Sequence, residues 1–285
     1  MKRVLTRYQE IERTILTSYR KRLWGPFVKA VKDYQLIEEN DCIGVCISGG
    51  KDSMIMAKLF QELLRHSDIK FSAKFIVMNP GYNEKNLEMI KKNLDILNIP
   101  ATIYETNIFE VANSQTKTPC YLCARMRRGA LYNICKEQGC NKIALGHHYD
   151  DVIETTLMNM LNNGTVETML PKLHSQNFEG MELIRPLYLI REKDIVAWSQ
   201  YNGLEFIRCA CKFTDSIEKE KEIESGSKRY DTKRLIQNLL EYNENVEKNI
   251  FIASSNINLN KILGYKKDGK YINYLDNYKD SKQED

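Results

Sequence analysis

Residues 48–53 read Ser-Gly-Gly-Lys-Asp-Ser. They close an apolar run, Cys42-Ile43-Gly44-Val45-Cys46-Ile47, and open a stretch with helical spacing of apolar residues. A strand that turns straight into a helix through small residues leaves backbone N–H groups unpaired, and the positive end of the helix dipole points at them. Such a turn holds an anion, most often phosphate. Gly49 and Gly50 admit backbone angles closed to other residues and keep any Cβ away from the ligand. Ser48 and Ser53 add hydroxyl donors, and Lys51 adds charge. Asp52 fits an anion site if it holds Mg²⁺ or caps the helix. A Gly-Gly turn alone does no more than cap a helix; the whole hexapeptide between strand and helix points to a nucleotide enzyme. The spacing G-x-x-x-x-G-K-[ST] is absent, which excludes an ordinary P-loop NTPase.

The pattern around the turn predicts an α/β fold. Residues 7–36 read as an amphipathic helical lead-in, with Ile11, Ile15, Tyr19, Leu23, Phe27 and Val31 at helical spacing. Strands are expected at 42–47, 71–78, 101–105 and 142–145, and helices at 52–66, 84–97, 121–137 and 151–161. That alternation argues for a Rossmann-like, mostly parallel sheet flanked by helices, with helical N- and C-terminal additions. Ligands then bind at the carboxyl ends of the strands. Beyond residue 165 we expect a strand over 183–189 interrupted by Pro186, a helix over 192–201, an exposed charge-rich stretch over 216–229, a helix over 231–254, and weak order from Asp268. The division is residues 1–36 as a helical extension, 37–215 as the catalytic unit, and 216–285 as a helical extension with a polar tail.

A second turn, Gly146-His147-His148-Tyr149-Asp150-Asp151, also falls at a strand-to-helix junction. Two imidazoles and two carboxylates there can hold a divalent ion or contact a nucleotide. Zinc is disfavoured, because adjacent side chains rarely share one ion and no His-x-x-x-His spacing is present.

Between the turns lies Pro119-Cys120-Tyr121-Leu122-Cys123, at the expected start of a helix, where thiolates are favoured. Arg125, Arg127 and Arg128 follow and would stabilise thiolates or a bound anion. Cys209 and Cys211 are the candidates to complete the site. Three readings compete: a zinc site on Cys120, Cys123, Cys209 and Cys211; a redox pair, whose fold context is wrong; and an iron–sulfur cluster on three cysteines with one iron open. Cys42, Cys46, Cys135 and Cys140 read as packing residues.

The chain of 285 residues carries a net charge of only +4. Nine basic residues from Lys2 to Lys32 stand against Glu10, Glu12 and Asp33, so a polyanion partner is a candidate. No apolar run reaches membrane-span length and no signal peptide is apparent, so a cytoplasmic protein with no membrane partner is expected, its cysteines reduced.

SGGKDS resembles the SGGxDS loop of the PP-loop ATP pyrophosphatases, and the second turn is similar to the GHHxDDxxET signature of tRNA-modifying members. With PCxxCxRxRRGxLY between them, the three-part set over residues 40–212 resembles the tRNA 2-thiocytidine synthetase (TtcA-type) family. The resemblance implies ATP-dependent thiolation of an anticodon-loop cytidine. It implies ATP on residues 48–53 and on Gly146, His147 and His148, with Mg²⁺. Lys51, Asp52, Asp150 and Asp151 become the catalytic residues, and Arg125, Arg127 and Arg128 contact tRNA. A [4Fe–4S] cluster falls on Cys120, Cys123 and Cys209, with Cys211 as the alternative third ligand. The sulfur donor would be a cysteine desulfurase persulfide or sulfide, and the assembly a homodimer. Cys-Ala-Cys replaces the second CxxC of better-known members. Rival readings are a 2-thiouridine or other adenylating tRNA enzyme, such as a lysidine synthetase, and a zinc-stabilised nucleotide-binding module.

Overall fold

The computed structural model describes residues 4–113, 119–207 and 228–278. Cys209, Cys211 and most of the stretch 216–229 lie outside them. A six-stranded sheet has the order β3-β2-β1-β4-β6-β5, with β1 (Cys42–Ile47), β2 (Ser72–Asn79), β3 (Ala101–Glu105), β4 (Lys142–Ala144), β5 (Lys172–His174) and β6 (Glu182–Ile184). Every pairing is parallel except β5 against β6. The expected mostly parallel sheet is therefore present.

Both faces are buried, and alternate residues along each strand go to opposite sides. Ile43, Val45 and Ile47 of β1, with Phe75 and Val77 of β2, enter one core under α1 (Arg7–Leu16), α2 (Gly25–Asp33), α3 (Lys51–His66), α4 (Glu84–Leu97) and α8 (Glu192–Tyr201). Cys46, Ile76, Met78, Ile143 and Leu183 enter a second core under α5 (Ile108–Asn113) and α6 (Pro119–Glu137). α1 is fastened to α3 inside the first core. The fully buried Lys58 Nζ donates to Glu12 Oε1 at 2.6 Å, Gln61 Oε1 at 2.6 Å and the Leu97 carbonyl at 2.8 Å.

The helical lead-in is not continuous. Pro26, which lacks an N–H, sits at the start of α2, and a π-type turn over Arg20–Trp24 joins it to α1. The strand expected over 183–189 stops at Ile184, because the backbone turns back on itself with Tyr188 N–H donating to the Arg185 carbonyl. The helix expected over 231–254 is two, α9 (Lys228–Tyr242) and α10 (Val246–Ala253), broken at 243–245 where the Asn243 side chain accepts from Asn245 N. The segment after Asp268 is ordered in part. β7 (Gly264–Lys267) and β8 (Lys270–Asn273) form a hairpin, followed by a 3₁₀ turn over Tyr274–Asn277. α5 and β5 carry no clear periodicity and were not expected. Among the described residues no helix is long and apolar enough to cross a membrane.

Candidate active site

Strand order reverses between β1 and β4, the switch point where an open α/β sheet forms its crevice. The turns after these two strands touch: a Cβ on Gly146 would come within 3.2 Å of Asp52 C and Ser53 N. In the first turn Gly49 has φ +88°, open to glycine, and a Cβ there would strike Ile90 at 2.6 Å and Ile207 at 2.7 Å. Ser53 Oγ accepts from Ser48 N at 3.1 Å and donates to the Gly50 carbonyl at 2.9 Å, so both serines hold the turn in shape. Gly50 is the N-cap of α3 and has no side chain to offer the first-turn N–H groups.

A cavity of about 470 Å³ opens on this turn, lined by Ser48, Asp52 and Ser53. His147 and Asp151 of the second turn, and Arg127 and Arg128 of α6, complete it. Two buried polar atoms near it make no hydrogen bond among the described residues, Asp52 Oδ1, which lies 3.9 Å from His148 Nε2, and His147 Nδ1. Burial pushes the Asp52 carboxyl up, against the pull of Lys51 and His148. Burial also pushes His147 down to about 4, so its imidazole is neutral at pH 7.

The second turn is capped from within. His148 N-caps α7 (Tyr149–Met158): its Nδ1 accepts from Asp151 N at 3.4 Å, and Asp151 Oδ2 accepts from His148 N at 3.0 Å. Burial alone would raise Asp151, but His148 and Arg229 hold it below the usual range.

The structure separates the two adjacent aspartates. Asp151 lines the cavity. Asp150 lies outside it, accepts from Arg191 Nη2 at 3.1 Å and from Glu192 N at 2.7 Å, and so holds the first turn of α8. Lys51 and His148 line an adjoining cavity of about 480 Å³, which Asp52, Asp151 and Arg229 share with the first. Arg125 is exposed and lines neither cavity.

Sequence reasoning missed four charged groups here. Lys51 Nζ lies 3.0 Å from Glu192 Oε1, and Glu192 Oε2 lies 2.6 Å from Lys233 Nζ of α9. Burial would raise Glu192, but Lys233 and Lys51 hold it down to about 2. Arg229, one turn before Lys233, reaches Asp151 at 2.5 Å and Glu154 at 3.7 Å. Burial pushes Glu154 up to about 7. Only the position of Glu154, inside the second signature, could have signalled its place; Arg229 and Lys233 arrive from a distant helix.

Cys120 lies in the first turn of α6, and Cys123 one helical turn on. Cys123 is half-buried and packs against both cores. Among the described residues no group of three or more His, Cys, Asp or Glu stands close enough to hold a metal. The remaining cysteines do pack: Cys46, Cys135 and Cys140 are buried, and Cys42 Sγ lies 3.6 Å from Cys140 Sγ.

Comparison with known proteins defines the class first: the model of the PP-loop domain matches residues 21–219. The tRNA-cytidine(32) 2-sulfurtransferase of Syntrophotalea carbinolica is 33% identical over 240 residues, 83% of this chain and 88% of that one. The protein of the same name from Vibrio campbellii is 34% identical over 77% of this chain and 74% of its own. The U34-tRNA thiolase NcsA from Methanococcus maripaludis, solved with its [4Fe–4S] cluster, superposes with a TM-score of 0.60 at 22% identity, over 87% of this chain and 78% of that one. The chain belongs to the tRNA-cytidine(32) 2-sulfurtransferase family of PP-loop proteins.

Proposed function

We propose that this protein is an ATP-dependent tRNA sulfurtransferase that adenylates C2 of cytidine 32 in the anticodon loop and replaces its oxygen with sulfur. The observation that carries the reading is the shared cavity: the glycine turn and the helix bearing Cys120 and Cys123 line the same space.

ATP fits the first turn. The uncapped N–H groups of α3 face phosphate, and Lys51 and Arg229 stand beside them. Mg²⁺ suits Asp52 Oδ1, which accepts no hydrogen bond among the described residues, since this ion commonly takes one or two carboxylates and completes its shell with phosphate oxygens and water. The C2 oxygen of the base attacks the α-phosphorus and pyrophosphate leaves. Lys51 and the first-turn N–H groups stabilise the charge that develops on it. His147, neutral, can donate or accept a hydrogen bond at the nucleotide without adding charge. Asp151 orients His148 and Arg229. Arg125, Arg127 and Arg128 hold tRNA phosphates, and an unpaired loop base is what a protein can splay into such a pocket.

Two cysteines one turn apart at a helix N-terminus with no acid in its first turn suit thiolate ligation. The [4Fe–4S] cluster, on Cys120, Cys123 and Cys209 with Cys211 as the alternative, would supply an iron position open to the incoming sulfur. Ile207, the last described residue before Cys209, packs on Gly49, which supports bringing that third ligand to the turn. Sulfide, or the terminal sulfur of a cysteine desulfurase persulfide released by a thiol reductant, is the sulfur source; its C–S bond forms as AMP leaves C2, and a homodimer is the assembly.

The test is thiolation of tRNA by anaerobically purified protein, with iron and zinc quantified. Cys120→Ala should lose iron and thiolation while staying folded. Full thiolation in that variant removes the cluster from the reaction, and an active iron-free protein that incorporates an amine assigns the lysidine-type reading instead.

A further inference from the structure

Past the PP-loop match the chain carries the hairpin β7–β8, whose strands pair, among the described residues, only with each other. Asp268 and Gly269 turn it with φ +50° and +75°, the two-residue left-handed turn that matches the twist of paired strands. The register puts Lys266 opposite Tyr271, and Gly264 opposite Asn273, on one face. Lys267 and Lys270 oppose each other on the other.

Gly264 is needed for this shape. A Cβ there would lie 2.3 Å from the Tyr271 hydroxyl oxygen and 2.6 Å from Cζ, so the phenol end of the ring rests on the glycine backbone. Tyr271 is thereby laid along the strand, yet remains 60% exposed. Lys261, Lys266, Lys267 and Lys270 are exposed, and none forms an ion pair among the described residues. Across 259–278 the only acids are Asp268 and Asp276.

An isolated two-stranded hairpin is marginal in water, and protein interfaces are depleted in lysine. Flat aromatic rings among unpaired lysines suit single-stranded nucleic acid, whose bases stack on rings while phosphates meet the ammonium groups. We infer that this hairpin is a second tRNA contact: Tyr271 stacks on an unpaired base with Lys266 opposite it at a phosphate, and Lys267 and Lys270, on the other face beside the Asp268–Gly269 turn, meet the phosphates where the strand passes the hairpin tip. The inference rests on the tRNA substrate proposed above. The hairpin follows α10, which is docked beside the site: Glu247 pairs with Arg191 at 2.6 Å, and Phe251 stacks on Tyr149 at 4.3 Å.

The experiment is binding of a full-length tRNA transcript to the full chain by fluorescence anisotropy across a salt series. Tyr271→Ala should weaken binding about tenfold, within the range that loss of one base–aromatic stack produces, and Tyr271→Phe should stay within about twofold of wild type. Replacing Lys266, Lys267 and Lys270 together by Gln should flatten the salt dependence by roughly two in log–log slope. ATP affinity and thermal unfolding serve as fold controls and should not move. Wild-type binding with Tyr271→Ala and the triple variant unchanged overturns the hairpin contact alone; a wild-type chain that binds no tRNA overturns both readings. If sedimentation shows that Tyr271→Ala dissociates a dimer whose protomer keeps full tRNA affinity, the face belongs to a second copy and the inference is overturned.

Discussion

The turns after β1 and β4 occupy equivalent places in one sheet, touch each other, and start helices in the same way, yet they are finished differently. After β1 the helix begins at a glycine and its first donors face a cavity. After β4 the helix begins at His148, and a reciprocal pair of bonds with Asp151 satisfies the corresponding groups. One turn is left open to receive a ligand; the other is closed and holds Asp151 and His147 rigidly at its rim. An unsatisfied buried group costs stability, and among the described residues each turn keeps one, Asp52 Oδ1 in the first and His147 Nδ1 in the second, both on residues that line the cavity, which marks where binding energy is to be recovered.

Five substitutions test that contrast. Asp52→Ala should have the largest effect, reducing ATP-dependent AMP formation on the order of a thousandfold, as loss of a charge-stabilising group in a buried site does. Because Asp52 Oδ1 accepts no hydrogen bond among the described residues and burial penalises the carboxylate, with only the bond from Lys51 Nζ at 3.2 Å and His148 at 3.9 Å to offset it, the same variant should match the wild type in urea unfolding. Equal AMP formation would show that the open turn does not hold the metal. Gly49→Ala should follow, destabilising by about 2–3 kcal/mol through a strained positive φ and overlap with Ile90 and Ile207, and abolishing ATP binding in calorimetry. Gly146→Ala, tighter by only a few tenths of an ångström, should be distinctly milder.

Glu192 links the open turn to α9, and its effect depends on pH. Its folded pKa, about 2, lies below the ordinary carboxylate value, so its stabilisation is complete above about pH 4.5 and is lost as pH falls toward 2. Glu192→Gln should lower unfolding free energy at pH 7 by about 1–2 kcal/mol, discounted for the partial exposure of both partners. That gap should persist at pH 5 and shrink below it in urea titrations; a gap independent of pH down to 3 would deny the ion pairs their role. His148→Ala should have the smallest effect, about 1 kcal/mol for a lost N-cap, read as a lowered melting temperature. A loss no smaller than that of Gly49→Ala would erase the distinction between the two turns.

The part of this arrangement made of local pattern was legible in the sequence. Short strand-length runs alternating with helical patterns marked β1 to β3, and Gly49–Gly50 and Gly146–Asp151 marked both turns, because each signal lies within a few consecutive residues. β4 and the start of the strand expected over 183–189 were found in place, whereas β5 is three residues without a clear pattern and its pairing with β6 depends on neighbours along the chain that no local signal marks. The different fates of Asp150 and Asp151 were equally invisible. They are adjacent in sequence, and what parts them is Arg191 on one side and Arg229, 78 residues on, on the other. The hairpin was hidden by composition: lysine, asparagine and tyrosine dominate it, and its order comes from the Asp268–Gly269 turn rather than from aliphatic burial.

Lys58 has a consequence for how much of the chain the nucleotide turn needs. Its ammonium group is sealed between α3 and α1 with Glu12 as counter-charge, so a protein shortened to begin after residue 36 would take away that counter-charge and uncover the face of α3 on which α1 packs. Loss of one member of such a pair costs about 3–5 kcal/mol, a large share of what holds a domain together. The opening helices thus act as a keystone for the helix whose first turn faces phosphate: trimming them should loosen the grip on ATP from some forty residues away in sequence.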